Sequence, residues 1–452
     1  MISKNTLYVS TILFIEGFVS LAYQMLYIRQ MTPFVGNSVE VVSWIVGVFL
    51  IALAIGYKIG GSKNNNPKYT LTKNFFIAAI MGGLFLSFQF LEAYFKILSE
   101  HFTAYTIMII YCFIIIAPIT YLLGQTIPIM TNYLKGDSVS EISGNVLFLS
   151  TIGSFLGAII TTNIVLKFFG VSFTIFFTSL LLLSLNLVIN GFKSLKSVYA
   201  ILGVFMAIII YWFNVSYEKL SYVATNQYAS YEVLRWEKSK TKVFKSNQSN
   251  SSILVNNEKY GYIKLIDDIL FKQMKIQDKN ILVIGAGGFV LSKDIKSNYF
   301  TYVDIDPAIK HIAEDYFLRE KINGDFVADD GRSFVNTTTK KYDIVMLDAF
   351  LSSKSIPEHL STVEYISKIK KIINPNGMFI VNLIGKRDLN DVYTQNTYKT
   401  ITHVFPYCYI QSSSYESSVT NIQFLCQNVN DNGRIYTDNY NNSNSDFNNL
   451  QE

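Results

Sequence analysis

Cysteine is almost absent from this chain. Of 452 residues, only Cys112, Cys408 and Cys426 carry a thiol. Cys112 lies in an apolar stretch, and the other two are far apart with no metal-ligand spacing. Neither a disulfide framework nor a zinc site is therefore expected. Charge is scarce too, but only in the first half. Residues 1–213 hold 17 charged side chains and the following 239 hold 54. The formal net charge of +5 is small and spread along the chain, which argues against a nucleic-acid partner. Apolar runs of membrane-spanning length are missing from the second half and abundant in the first. A chain of this length is expected to form two or three domains.

Seven apolar segments fill the first half: 7–27, 41–59, 75–94, 103–123, 142–166, 171–189 and a short 198–213. Each approaches the ~20 residues that cross a hydrocarbon core. The first is too long, and too polar at its end, for a cleaved signal peptide. Gly56-x-x-x-Gly60 and Gly153-x-x-x-Gly157 permit close helix packing. Glu16 is the one acid near the middle of a span. It should face the bundle interior and find a partner, with Tyr23, Gln24 and Arg29 as candidates. A proton or cation relay and a plain interhelical hydrogen bond explain it equally. Pro118 and Pro128 bracket 121–130, a segment expected to break or re-enter the membrane.

The lysines pose a conflict. Lys4, Lys58, Lys63, Lys68, Lys73, Lys135, Lys193 and Lys196 fall on one side of alternating spans, and Arg29, Lys96 and Lys167 on the other. The positive-inside rule then keeps the N-terminus in the cytoplasm. Seven spans put the soluble half outside, whereas a nucleotide-like cofactor favours the cytoplasm. A miscount at the weak seventh segment or at 121–130 would reconcile the two.

The soluble half is organised around 280–307. Residues 281–284 read as a buried parallel strand. Gly285, Ala286, Gly287 and Gly288 follow, and a glycine turn lets backbone approach a ligand closely. A helix is expected over 290–297. The next strand, 300–305, ends at Asp304 and Asp306. Gly285 and Asp304 stand 19 positions apart, near the roughly 20 between a glycine turn and a ribose-binding acid. Such acids lie at the carboxyl ends of strands, where open α/β sheets bind ligands.

Short strands at 231–236, 241–245 and 252–256 and a helix at 260–274 precede this unit. After it come a helix at 308–318 and a strand at 325–328 that ends in Asp329, Asp330 and Gly331. A helix at 332–336 leads to a strand at 342–347 that ends in Asp348. A helix at 362–373, a turn at 374–377, a strand at 378–384, a helix at 391–404 and strands at 407–411 and 420–427 complete the pattern. Singly, each of Asp304, Asp330 and Asp348 is explained as a helix cap. Together they suggest a ligand with hydroxyls, an amine or a cationic centre, since a buried carboxylate needs a partner.

These stretches resemble spermidine synthases. The GAGG turn, Y-V-D-I-D-P, D-D-G-R-S-F, Y-D-I-V-M-L-D-A-F, I-P-E-H-L-S-T-V-E-Y and N-P-N-G-M-F-I-V-N-L carry the resemblance over about 225–410. In the first half, L-A-Y-Q-M-L-Y-I-R-Q, G-N-S-V and L-G-Q-T-I-P-I-M are similar to the multi-span segment fused to a synthase-like domain in bacterial proteins. The resemblance implies a multi-span helical membrane bundle (1–213), then a small β element (214–279). A Rossmann-like domain of the class I methyltransferase type (280–428) would follow, and the tail 429–452, rich in Asn, Asp and Ser, is expected to be disordered on its composition. It implies a multi-pass protein of a bacterial plasma membrane, with the soluble domain on the cytoplasmic face against the charge bias. A homo-oligomer is left open.

The family transfers an aminopropyl group from decarboxylated S-adenosylmethionine to an amine such as putrescine, without a metal. Carried over, Asp304 holds the ribose hydroxyls and Asp330 the adenine amino group. Ile305 and Gly331 flank the nucleoside, and Gly285 and Gly287 let the backbone pass the methionine-derived portion. Asp348 is the catalytic-loop acid that orients the amine. The family's amine-binding Asp is Gly288 here, and its second loop acid is Leu351. Its Tyr-Gln becomes Tyr228-Ala229, and its Tyr-His-Glu becomes Tyr262-Ile263-Lys264, where Lys264 would repel a polyamine.

Three readings follow. The first is an aminopropyltransferase on a membrane anchor. The second is a methyltransferase using S-adenosylmethionine on a membrane-associated acceptor. The third is a transporter whose soluble domain senses a nucleoside or polyamine.

Overall fold

Helices cover all seven apolar segments of the first half. The structure, a computed structural model, describes residues 4–36, 38–62, 66–134, 139–190, 198–350, 355–414 and 416–429. The helical region comprises α1 (Lys4–Val35), α2 (Val39–Gly60), α3 (Pro67–Phe85), α4 (Phe88–Leu98), α5 (Ala104–Tyr111), α6 (Ala117–Gly124) and α7 (Thr126–Tyr133). It continues with α8 (Val139–Ile160), α9 (Leu166–Asn190), α10 (Val198–Tyr211) and α11 (Tyr217–Ser221). Polar caps start several of them: Ser38, Asn66, Ser87 and Thr103 each accept a first-turn amide. Among the described residues five helical stretches are long and apolar enough to cross a membrane, or six if the α3–α4 pair, bent by 67°, counts as one span. One of the five, Ser140–Asn190, is interrupted at Gly170 by a non-helical φ of 80°.

Gly153 and Gly157 permit the closest helix contact. A Cβ on either would collide with the α1 backbone at Phe14 or Phe18. Glu16 is buried but bonds neither Tyr23, Gln24 nor Arg29. Its partners are Ser20 Oγ at 2.8 Å and Ser150 Oγ at 3.4 Å. Local i,i+4 geometry supplies the first and the α1–α8 contact the second. The segment 121–130 is almost entirely helical. It stays helical through α6 and α7 with only a turn residue at Gln125. The carboxyl end of α1, the α3–α4 break and Gly170 all meet the soluble half, through Arg29, Phe88 and the Gly170 contact with Thr225. The start of α1 therefore lies at the far end of the bundle.

The second half opens with a five-stranded antiparallel sheet: β1 (Ala224–Thr225), β2 (Ser230–Trp236), β3 (Thr241–Ser246), β4 (Ser249–Val255) and β5 (Glu258–Lys259). Helix α12 (Tyr262–Asp267) follows. The second sheet holds β6 (Asn280–Ile284), β7 (Tyr299–Asp304), β8 (Asp325–Ala328), β9 (Tyr342–Leu347), β10 (Ile373–Lys386), β11 (Cys408–Ser412) and β12 (Val419–Gln427). Its order is β11-β12-β10-β9-β6-β7-β8. The strands β10, β9, β6, β7 and β8 are parallel, and β12 and β11 run antiparallel at the other edge. Helices α13 (Ile309–Ile312), α14 (Gly331–Thr337), α15 (Val363–Ile372) and α16 (Val392–Val404) connect them. Alternation splits β6 between two cores: Ile281 and Val283 pack on one face, Leu282 and Ile284 on the other.

Three expectations fail here. Residues 290–297 form turns rather than a helix. Phe289 and Asp294 sit at positive φ, while Val290 and Leu291 are buried, so apolar burial overrides helical propensity. Residues 374–377 belong to β10, with a register shift and Asn376 at positive φ in place of a free turn. Cys408 and Cys426 form a disulfide. They lie directly opposite each other on β11 and β12, a pairing that the spacing of 18 residues did not reveal. The tail from 430 onward and Leu351 lie outside the described residues.

Candidate active site

Strand β6 runs straight into the glycine turn. Gly285 has φ +93° and Gly287 φ +51°, values a side chain would strain. A Cβ at Gly285 would strike the Asp348 carbonyl. The glycine is thus demanded first by the neighbouring strand end. Gly288 has no room for an acid, because a Cβ there would run 2.7 Å from the Phe317 ring. Its amide donates to Ser252 Oγ at 2.9 Å, tying the turn to the small sheet.

The three acids stand at the carboxyl ends of β7, β8 and β9 and line one cavity of about 420 Å³. Gly285, Gly287, Ile305 and Gly331 line it too. Asp304 accepts Ala286 N at 2.9 Å and Asp306 N at 3.0 Å, one on each oxygen. Burial pushes its carboxyl up to about 6 against these amide bonds. Asp330 caps α14, accepting Arg332 N and Ser333 N at 3.0 Å each on one oxygen. Its other oxygen meets His359 Nε2 at 3.0 Å. Burial works to raise the Asp330 carboxyl, but the Ser333 and Arg332 amides and the His359 ring together hold it below its usual value. Capping and cavity lining therefore coexist at this residue.

Asp348 is held differently. Tyr262 OH donates to one oxygen at 2.7 Å and Asn382 Nδ2 to the other at 2.8 Å. Gln423 Nε2 holds Asn382 Oδ1 at 3.1 Å. Burial raises the Asp348 carboxyl to about 7, a shift these two donors reduce without cancelling. A carboxyl titrating near neutrality can exchange a proton with a bound amine.

Several residues singled out by resemblance stand elsewhere. Lys264 is exposed and does not line the cavity, so the expected repulsion of a cation is absent from its wall. Tyr228 is largely outside and Ala229 is packed in the small sheet's core. Sequence reasoning missed Asn382, His359 and the 246–251 turn that covers the cavity. Asn382 left a signal: it is a buried amide inside the otherwise apolar run Ile380–Leu383. Among the described residues, no three His, Cys, Asp or Glu side chains gather as a metal site.

A family model described as the spermine/spermidine synthase domain matches residues 264–430. Those residues are similar to a spermine/spermidine synthase domain. A polyamine aminopropyltransferase of Vibrio vulnificus is 30% identical over 131 residues, covering 27% of this chain and 43% of that protein. The chain thus spans under half the length of this relative. A polyamine aminopropyltransferase of Oceanobacillus iheyensis is 19% identical over 408 residues, covering 84% of this chain and 78% of the relative. That match necessarily takes in much of the helical region as well as the synthase domain. A probable spermidine synthase of Corynebacterium glutamicum is similar at 17% identity and a TM-score of 0.38, over 47% of this chain and 80% of its own.

Proposed function

We propose that the synthase domain transfers an aminopropyl group from decarboxylated S-adenosylmethionine to an amine such as putrescine. The observation that carries this reading is the convergence of Asp304, Asp330 and Asp348 on one cavity inside the matched domain. In this reading Asp304 accepts the ribose hydroxyls and Asp330 the adenine amino group. Ile305, Gly285, Gly287 and Gly331 shape the nucleoside's bed. The amine nitrogen attacks the carbon next to the sulfonium. A C–N bond forms, the C–S bond breaks, and the thioether nucleoside leaves with the sulfur's electron pair. Asp348 takes the proton that the new secondary ammonium loses. Alignment of donor and acceptor supplies most of the acceleration and the proton acceptor the rest. We also propose that the helical region crosses a membrane and anchors this domain.

A methyltransferase reading is favoured by one observation, the lack of room for an acid at Gly288. Without that acid, the donor's own carboxylate meets no repulsion beside the turn. The test supplies full-length protein in detergent with each donor and a panel of amines. Aminopropyl transfer from the decarboxylated donor supports the first reading. Methylation of a membrane extract with no aminopropyl transfer replaces it.

A further inference from the structure

We propose that Arg29, on the first helix, is a positioning residue for the nucleoside side of the cavity. This inference rests on the nucleoside reading above, but concerns a residue of the helical region. Arg29 lies near the carboxyl end of α1 and is buried at the junction with the small sheet. Its Nε donates to the Asn226 carbonyl at 2.8 Å and one terminal nitrogen to Ser230 Oγ at 3.0 Å. Each bond starts a chain of contacts that ends at the cavity wall.

The first chain runs to Asp304. Asn226 Nδ2 donates to Asp306 Oδ2 at 2.7 Å, where Tyr231 OH also donates at 2.7 Å. Asp306 Oδ1 accepts Ala308 N at 2.9 Å, so the buried carboxylate is held on both oxygens. The backbone N–H of Asp306 in turn donates to Asp304 Oδ1 at 3.0 Å. A carboxylate has about four acceptor directions. Two on Asp304 are taken by Asp306 N and Ala286 N, and these fix the direction of the two left for a ligand's hydroxyls. The second chain is shorter. Ser230 N donates to Asn247 Oδ1 at 3.0 Å and Asn247 N donates to the Ser230 carbonyl at 2.8 Å. Asn247 lines the cavity from the covering turn.

One guanidinium on the first helix therefore holds the base of the acid on one wall and the root of the turn on another. Asp306 stands two residues from Asp304, and its charge raises the cost of ionising Asp304. The Arg29 charge faces the Asp306 carboxylate from behind Asn226. A planar five-donor group suits the task, because it serves two differently placed acceptors at once. Lysine offers a single ammonium and cannot keep the fork.

The test measures binding of methylthioadenosine and of both sulfonium donors to full-length protein in detergent, by calorimetry, alongside thermal melts. Arg29→Gln should weaken nucleoside binding about 2- to 30-fold, the range that changes along a connected network reach. Arg29→Lys should recover part of the loss. Arg29→Gln with Asp306→Asn should lose less than the product of the two single losses, because both changes act on the chain to Asp304 while only the first also touches the chain to Asn247. If Arg29→Gln does not fold, Asn226→Asp serves in its place. It keeps the acceptor for Tyr228 N and Ala229 N and removes the donor to Asp306. Glu218→Gln is the control. Glu218 accepts Ser172 N and Thr225 Oγ1 at the same junction without leading to Asp306, and its variant should bind within about twofold of wild type. Equal losses in Arg29→Gln and Glu218→Gln would reduce Arg29 to a general junction contact. Fully multiplicative effects of Arg29→Gln and Asp306→Asn, or unchanged affinity in Arg29→Gln, would overturn the proposal while leaving the nucleoside reading intact. A wild-type chain that binds no nucleoside would overturn both.

Discussion

The proposed nucleoside side and the proposed transfer side of the cavity are held by different kinds of bond. Asp304 and Asp330 are gripped mainly by backbone amides, from Ala286, Asp306, Arg332 and Ser333. Asp348 is gripped by two side chains, Tyr262 and Asn382. Backbone grips come with the strand ends and helix starts themselves, so they survive sequence change. A side-chain cradle has to be assembled from separate elements, here α12 and β10, and can be retuned by one substitution. The wall of Asp304 and Asp330 is thus the stable half of the site and the wall of Asp348 the adjustable one.

The largest expected effect tests the transfer side. Asp348→Asn keeps the shape and removes the charge, so turnover should fall by roughly 10²–10⁴ while donor affinity changes far less. Full activity in that variant would remove Asp348 from the reaction. Next, Asp304→Ala should weaken nucleoside binding about 30- to 1000-fold, from roughly 2–4 kcal/mol of charge-assisted hydrogen bonding, and circular dichroism should show an intact fold. Unchanged affinity by calorimetry would place the nucleoside elsewhere.

A smaller effect separates the two grips. Tyr262→Phe deletes one donor to the Asp348 carboxylate, which destabilises its charged form. The rise of turnover with pH, centred on about 7 in the native chain if Asp348 is the base, should move upward. A midpoint that stays put would show that the tyrosine does not tune the acid. Asp330→Ala should cost about 1 kcal/mol of stability through the lost helix cap, read as a lower melting temperature. A variant with native stability would deny it the capping role.

Stability against pH gives the last test. Asp304 and Asp348 titrate near 6 and 7 in the folded chain, above the ordinary aspartate value of about 4. The folded chain therefore binds protons that the unfolded chain has already released. The stability these groups contribute is full below about pH 4 and is lost as pH rises through 6 and 7. Melting temperatures between pH 5 and 8 should fall less steeply in Asp348→Asn than in the native chain. Parallel slopes would show that Asp348 is charged throughout.

Local pattern was enough for much of this molecule. The alternating and apolar runs of β6 through β12 marked the strands, and acids at strand ends marked Asp304, Asp330 and Asp348 for the cavity they line. The apolar segments of the first half likewise became helices. Periodicity and strand-end chemistry are read over a few residues, and burial on one sheet edge enforces them. Tertiary structure alone decided the partners. Tyr262 reaches Asp348 across 86 positions, and Arg29 reaches Asn226 across 197. Cys408 meets Cys426 because β11 folds back on β12, and Glu16 finds Ser150 because two glycines let α8 touch α1. Residues 290–297 gave up their helix because Val290 and Leu291 were needed in the core. Each of these outcomes depends on which elements come to lie side by side, and no window of neighbouring residues contains that information.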